Sequence, residues 1–474
     1  IAIENWDDLV TAQFVEVPAG PGASVYGQNT ADITLANTYT GPAQAEAYYP
    51  GLTPYFGPKY QRVEGDVWVA DPRINGSNLQ LQPGQYGLHA INHELGHSLG
   101  LSHPGNYNFG DDDDGDGKPD PINYTGDAFY FQDSHQFTIM SYFDAYETGG
   151  ASIDWNIMRF IYPSTPMVDD VFVIQQKYGA DQTTRSGNTT YGWNASADVT
   201  NDALKFETGE IMSAFTIWDG GGIDTLDLSG FYTDSVIDLR EGAYSSAGGW
   251  GAYSATTEAL DLGSMAPLAA LAIIDANNAA AGLGPRTLSA TDPRGRDYIY
   301  QLYINGGVPA RDAAGNIIMK DGQPVLLNEG LSWAEITGAS NEYLMENNIG
   351  IAYGAVIENA VGGHGDDRIS GNYVDNDFTG GAGNDTFVIA DHSMVLPRLT
   401  GGTRTVTDTS IDEIMDFGNG DDTLDLTEFG DVTIGDVVWN DATDTLLINT
   451  DSDAAYEVTV LIHGTFTTGD ILFA

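Results

Sequence analysis

The chain has no cysteine among its 474 residues, which excludes disulfides, the device by which secreted chains often gain stability. It is also poor in basic residues, with 17 Lys and Arg against 68 Asp and Glu and a formal charge of −51. That balance excludes nucleic acid as a natural partner, and it makes the chain repel itself until cations or salt offset the charge. A salty habitat would suit such a dense acidic surface. No apolar run reaches the eighteen or so residues that a membrane-spanning helix needs, and the first residues carry no basic region followed by an apolar core.

Histidine is scarce too, but it is not scattered. Four of the eight histidines (His89, His93, His97 and His103) fall between residues 89 and 103. In His93-Glu94-Leu95-Gly96-His97-Ser98-Leu99-Gly100-Leu101-Ser102-His103, two imidazoles stand four positions apart, so on a helix they share one face and can share a metal. Glu94 sits beside them as a candidate general base. Gly100 can take the positive φ of a sharp helix exit, which swings His103 back as a third ligand. Three neutral nitrogens of this kind suit a catalytic zinc, with the fourth position left for water. A bare H-E-x-x-H arises by chance in roughly one sequence in a hundred of this length, and the added Gly100 and His103 lower that rate by about two to three orders of magnitude. His89 precedes the motif by one helical turn and reads as structural.

A second signal lies far downstream. Gly362-Gly363-His364-Gly365-Asp366-Asp367-Arg368-Ile369-Ser370 is followed without a gap by Gly371 to Thr379 and by Gly380-Gly381-Ala382-Gly383-Asn384-Asp385-Thr386-Phe387-Val388, a period of nine. Glycines at Gly363, Gly365, Gly381 and Gly383 permit tight turns that expose carbonyls, Asp367 and Asp385 supply hard oxygen, and the apolar eighth residues (Ile369, Phe378, Phe387) point inward from short strands. Stacked turns of this type build a parallel β-roll around calcium. The middle copy is degenerate, with Asn372, Val374 and Asn376 at the ligand positions. A ligand that binds only the folded form stabilises it, so calcium can take over the role of disulfides. Between the histidines and residue 140, Asp112, Asp114, Asp116 and Asp120 have the spacing of a calcium loop. Asn123 stands where the usual bidentate Glu would be, so a cation loop and a solvated acidic loop both remain open readings.

The zinc motif has the metzincin pattern, which calls for a methionine turn downstream, and Thr138-Ile139-Met140-Ser141-Tyr142 supplies it. Pro104 after the third histidine and the Ser-Tyr pair after Met140 make the chain resemble one metzincin subgroup, the serralysins. The resemblance implies that Tyr142 lies near the zinc and stabilises the reacting oxyanion. It implies carbonyl ligands to calcium from the run containing Arg185, Gly187 and Thr189, further calcium ligands at Asp219, Gly221, Gly222 and Asp224, and another at Glu358. By analogy with metzincins, Gln44 to Pro50 is the edge strand that pairs with substrate, through Ala45, Ala47 and Tyr48. Asp416 to Leu426 repeats the strand-turn-strand chemistry of the roll. The ending Asp470-Ile471-Leu472-Phe473-Ala474 is similar to the family's uncleaved signal for type I secretion.

The expected fold is therefore an α+β metzincin catalytic domain over residues 1–183, closed by a helix at Val168 to Tyr178, and an all-β parallel β-roll (RTX) domain over 184–474. An inserted subdomain at about 248–347 departs from the family; within it, Met265 to Leu283 reads as a helix and Asn316 to Leu327 as a hairpin turning at Asp321-Gly322. The family also has a longer region ahead of Trp6. The implied function is a secreted, monomeric zinc endopeptidase with structural calcium, cleaving extracellular proteins by a water that Glu94 activates. A calcium-folded adhesin with a structural or inactive zinc site is the rival class, and intact Glu94 argues against it.

Overall fold

The computed structural model describes residues 1–17, 31–57, 63–110, 112, 117–154, 159–207, 212–231, 233–248, 319–320, 323–324, 345–389, 396–397, 403–404, 411–450 and 455–474. The expected helix at Met265 to Leu283 lies outside these residues, as do Asp114 and Asp116 of the acidic loop. At the expected hairpin, Met319–Lys320 and Gln323–Pro324 pair antiparallel.

In the N-terminal part, the apolar run Val67-Trp68-Val69-Ala70 forms the middle of a three-stranded sheet. Val67–Ala70 pairs parallel with Leu35–Thr38 on one side and antiparallel with Ala45–Ala47 on the other. Val67 and Val69 are buried, and Ala45 and Ala47, opposite them in register, pack on the same core. Ala45–Ala47 is thus the edge strand. The main-chain bonds Tyr48 N–H to Asp66 and Ala70 N–H to Gln44 point Gln44 and Tyr48 inward. By antiparallel alternation, Ala45 and Ala47 turn their N–H and C=O groups to the open side.

Against this sheet packs the helix Tyr86–Ser98, nearly all of it buried. A helix buried all round must lie in the centre of its unit. Gly100, at φ 90°, ends it, with Gly100 N–H bonded to His97 O at 2.8 Å and Leu101 N–H to Gly96 O at 2.9 Å. These two bonds form a Schellman cap, which needs a residue free to take the left-handed conformation. The helix Val168–Tyr178 lies where the sequence places it, and Asp170 in its first turn fixes its start by accepting the N–H of Met167.

From Thr190 onward most of the short strands alternate between two sheets, while Tyr244–Ser245, Ile349–Ile351 and Phe215–Ile217 form a smaller third one. Thr225–Asp227, Asn359–Val361, Asp377–Thr379, Ile411–Phe417 and Val458–Gly464 belong to one. Val236–Asp238, Arg368–Ser370, Thr386–Val388, Thr423–Asp425 and Ile471–Leu472 belong to the other. Every pairing between neighbours within these two sets is parallel. This is the winding of a parallel β-roll. The nine-residue register holds: Ile369, Phe378 and Phe387 are all fully buried, and Phe387 sits between Phe378 at 6.4 Å and Phe417 at 5.8 Å. An antiparallel addition, Val437–Asn440 and Thr445–Ile448, caps one end of the larger sheet.

The two parts share one continuous apolar cluster running from Trp6 to Phe466. Polar bonds cross between them as well. Arg185, itself at φ 45°, reaches back to Asp8 at 2.6 Å, and the Thr200 hydroxyl donates to Glu4 at 2.9 Å. Because Phe378 is an inward rung of the roll, Phe378→Ala should cost about 3–5 kcal/mol of stability. Urea unfolding of the full chain checks this, and a loss below 1 kcal/mol would contradict the stacking.

Candidate active site

Three side chains meet at one point. His93 and His97 lie one turn apart on the helix, and the chain leaving Gly100 brings back His103. The Nε2 atoms of His93 and His97 stand 3.2 and 3.0 Å from that of His103. Each Nδ1 faces a main-chain oxygen: His93 to Ile139 at 2.7 Å, His97 to Leu101 at 2.8 Å, His103 to Tyr107 at 2.8 Å. A carbonyl only accepts, so each Nδ1 must carry the proton and each Nε2 must present a lone pair. Three lone pairs then converge with no proton among them, an arrangement that repels itself unless a cation sits at the focus. Burial and the neighbouring imidazoles hold His93 well below its usual range and His97 down to about 4, so both are neutral at physiological pH. The spacing fits a tetrahedral zinc, whose nitrogen ligands at about 2.0–2.1 Å would lie roughly 3.3 Å apart.

Glu94 is buried beside the triad. Burial first, and then the carboxylate of Glu46 on the edge strand, push it up to about 8. The Tyr142 ring lies 4.5 Å from that of His103 and 5.9 Å from that of His93, and burial raises its hydroxyl to about 12, so it stays a donor. His89 packs on His135 at 4.6 Å and on Tyr162 at 5.5 Å, away from the focus.

Met140 is buried beneath the helix. A Cβ on Gly96 would lie 2.6 Å from Met140 Sδ and 3.2 Å from the Trp6 ring, so only glycine lets the methionine turn and the N-terminal helix approach this closely. The turn is also held from behind. Asp170 accepts from Thr138 Oγ1 at 2.6 Å and from Ile139 N–H at 2.7 Å, and Ile139 is the residue whose carbonyl orients His93. Burial raises Asp170 to about 7, opposed by these donors. Sequence reasoning missed Asp170, Tyr49, whose ring meets His97 edge-on at 5.2 Å, and the pair Tyr107 and Asp133. Only Gly96 left a signal, because glycine inside a helix costs about 1 kcal/mol unless packing requires it.

The expected calcium residues fall into three groups. In the first, Thr189 N–H donates to Asp224 at 2.7 Å, and the Thr189 hydroxyl reaches the carbonyls of Gly187 at 3.0 Å and Arg185 at 3.3 Å. Asp224 N–H bonds Glu358 at 2.7 Å, and Asp219 accepts from Gly221 N–H at 2.6 Å. Gly222, at φ 158°, lies against Gly187 O, where a side chain would not fit. Asp219, Asp224 and Glu358 all rise by burial, Asp224 to about 8, and one oxygen of Asp224 is buried with no partner. In the second group, Gly381 and Gly383 lie directly on the carbonyls of Gly363 and Gly365. Asp367 N–H bonds Asp385 at 2.9 Å, burial raises Asp367 to about 7 and Asp385 to about 6, and the second oxygen of Asp385 is buried without a partner.

The middle copy differs from both. Asn372 donates to the carbonyls of Leu239 at 3.1 Å and Ile357 at 2.8 Å, Asn376 donates to that of Glu358 at 3.0 Å, and Val374 N–H bonds Asn372 at 3.1 Å. Neutral amides there satisfy carbonyls by themselves. Of the acidic loop, Asp112 accepts from Gly117 N–H at 2.9 Å, and Asp120 lies in the described chain.

Residues 180–259 and 288–462 match the family model described as Peptidase M10 serralysin C terminal. The chain belongs to the serralysin family. It is 37% identical over 253 residues to Serralysin B of Dickeya chrysanthemi, a match covering 52% of this chain and 46% of that one. It is 36% identical over 251 residues to Serralysin of Proteus mirabilis, covering 52% and 47%. It is 35% identical over 253 residues to Metalloprotease AprA of Pseudomonas entomophila, covering 52% and 46%. The match thus spans about half the length of these curated relatives. Among the described residues, no helix is long and apolar enough to cross a membrane.

Because Gly96 carries the contact of the methionine turn with the helix, Gly96→Ala should destabilise the protein by about 1–3 kcal/mol through overpacking. Thermal melting of the variant beside wild type checks it; an unchanged midpoint would mean that Met140 has free room to move.

Proposed function

We propose that the chain is a secreted zinc endopeptidase that hydrolyses extracellular proteins, with a metzincin catalytic domain over residues 1–183. A calcium-loaded β-roll then spans 184–474, interrupted by an insertion at about 248–347. The observation that carries this reading is the convergence of three proton-free Nε2 atoms next to a buried carboxylate and an open strand edge. His93, His97 and His103 would hold the zinc, which when bound acidifies the attacking water and polarises the scissile carbonyl.

This chain's own residues supply the rest. An extended substrate can add to the sheet at Ala45 and Ala47, whose N–H and C=O groups face away from Val67–Ala70 and can bind backbone, leaving selectivity to side-chain pockets. Tyr48 anchors that strand to Asp66 from the other side. Glu94 takes the proton of the attacking water and returns it to the leaving amine. Tyr142, kept protonated by burial, donates to the oxyanion as charge develops. Met140 forms the floor of the site.

Glu94→Gln should retain zinc and lose about 10²–10⁴ in kcat on casein, since it removes the base and leaves the ligands in place. Near wild-type proteolysis by a zinc-loaded variant would sink the assignment.

Calcium at Arg185, Gly187, Thr189, Asp219, Gly221, Gly222, Asp224 and Glu358, and at Gly363, Gly365, Asp367, Gly381, Gly383 and Asp385, would neutralise carboxylates that the fold has buried. The sign of the pH effect follows. Asp224, Asp367 and Asp385 have folded values of about 8, 7 and 6 against an ordinary aspartate value of 3.8, so the calcium-free fold binds more protons than the unfolded chain. Their contribution is fully present below the unfolded value and is lost as pH rises through the folded ones. In EGTA the melting midpoint should therefore fall between pH 4 and pH 8, and calcium should restore it at the alkaline end. A midpoint indifferent to both calcium and pH would contradict the calcium assignment.

A further inference from the structure

Of the three imidazoles, His103 is the one that the helix does not hold. It sits in an irregular segment after Gly100, and a ligand on a loop keeps its aim only if something else fixes that loop. Tyr107, four residues on, is placed to do so. Its carbonyl accepts the Nδ1 proton of His103 at 2.8 Å, and its ring stacks on the His103 ring at 5.5 Å with 10° between planes. The same ring lies 5.2 Å from Tyr142 and 5.1 Å from Phe143. Gly105 makes room for this fold-back, because a Cβ there would lie 2.4 Å from the Tyr107 ring.

What fixes Tyr107 is a buried carboxylate. Its hydroxyl donates to Asp133 Oδ1 at 2.7 Å, and the two residues are 4% and 0% exposed. The Ser141 side chain and the Tyr142 backbone lie close to the same hydroxyl, which sets the third-ligand loop against the methionine turn. A fully buried carboxylate is costly to maintain, and neither the triad nor the base uses this one.

We propose that Tyr107 and Asp133 form a positioning pair: the Asp133 carboxylate anchors the Tyr107 hydroxyl, and Tyr107 in turn aims His103 at the metal and seats Tyr142 beside it. This rests on the zinc peptidase reading. Loss of the hydroxyl should let the loop drift, weakening the third ligand and the oxyanion donor together while substrate binding along the edge strand is untouched.

The test uses the full chain, its Tyr107→Phe variant, which removes one oxygen and keeps the ring, and Asp133→Asn, which keeps the shape and removes the charge. Zinc affinity by competition with a chromogenic chelator should weaken about 10-fold in Tyr107→Phe, the lower end of what loss of an outer partner of a metal histidine costs, because the Tyr107 carbonyl itself remains and only its anchor is removed. The visible spectrum of the cobalt(II) form should shift, and kcat on a short peptide should fall with KM within about twofold of wild type. Asp133→Asn should change the same readouts in the same direction. Zinc affinity within twofold of wild type and an unchanged cobalt spectrum in Tyr107→Phe would overturn the proposal, because a mere packing role would alter only the melting midpoint. Wild-type protein that binds no zinc would remove the peptidase reading and this inference with it; zinc-binding wild type with unaltered variants would remove this inference alone.

Discussion

The site depends on three hydrogen bonds that never touch substrate. Main-chain oxygens of Ile139, Leu101 and Tyr107 each take a proton from one imidazole Nδ1, and so turn three Nε2 lone pairs toward a common centre. Each carbonyl comes from a different device: the methionine turn, the Schellman exit of the helix and the stacked tyrosine of the next loop. Much of the N-terminal part can be understood as support for these devices. Gly96 lets Met140 lie close, Asp170 grips Thr138 and Ile139, and Gly100 turns the chain back.

The roll faces the same electrostatic problem at larger scale. Folding stacks Asp367 on Asp385 and brings Glu358 against the turn of Asp219 and Asp224, each raised by burial. A chain with 68 acidic residues and no disulfide cannot bring carboxylates together without a counter-charge, so the same cation that relieves repulsion can serve as the crosslink. The middle copy solves the problem differently, by replacing carboxylate with amide, and Asn372 and Asn376 saturate the neighbouring carbonyls themselves.

What was legible in the sequence was whatever recurs at a fixed spacing. The histidine offsets placed three imidazoles at one point, and the period of nine turned Ile369, Phe378 and Phe387 from two facing sheets into one buried interior. The helix expected at Val168 to Tyr178 has those bounds in the structure. Tyr107, Asp133 and Asp170 were not legible, because each acts across the fold: Asp133 is 26 residues from Tyr107, and Asp170 is 32 from Thr138. Such partners leave no periodic trace. Nor could spacing alone distinguish the amide-filled turn from its neighbours, since the difference lies in where an amide N–H points rather than in the register of the strand.

The central claim is that this focus is built for one zinc with three imidazole nitrogens. X-ray absorption at the zinc edge of protein loaded with one equivalent of zinc tests it most directly. A four-coordinate shell of three imidazole nitrogens and one oxygen at about 2.0–2.1 Å is the predicted result. A six-coordinate shell dominated by carboxylate oxygen, with no imidazole scattering, would place the metal among the acidic residues and contradict the account.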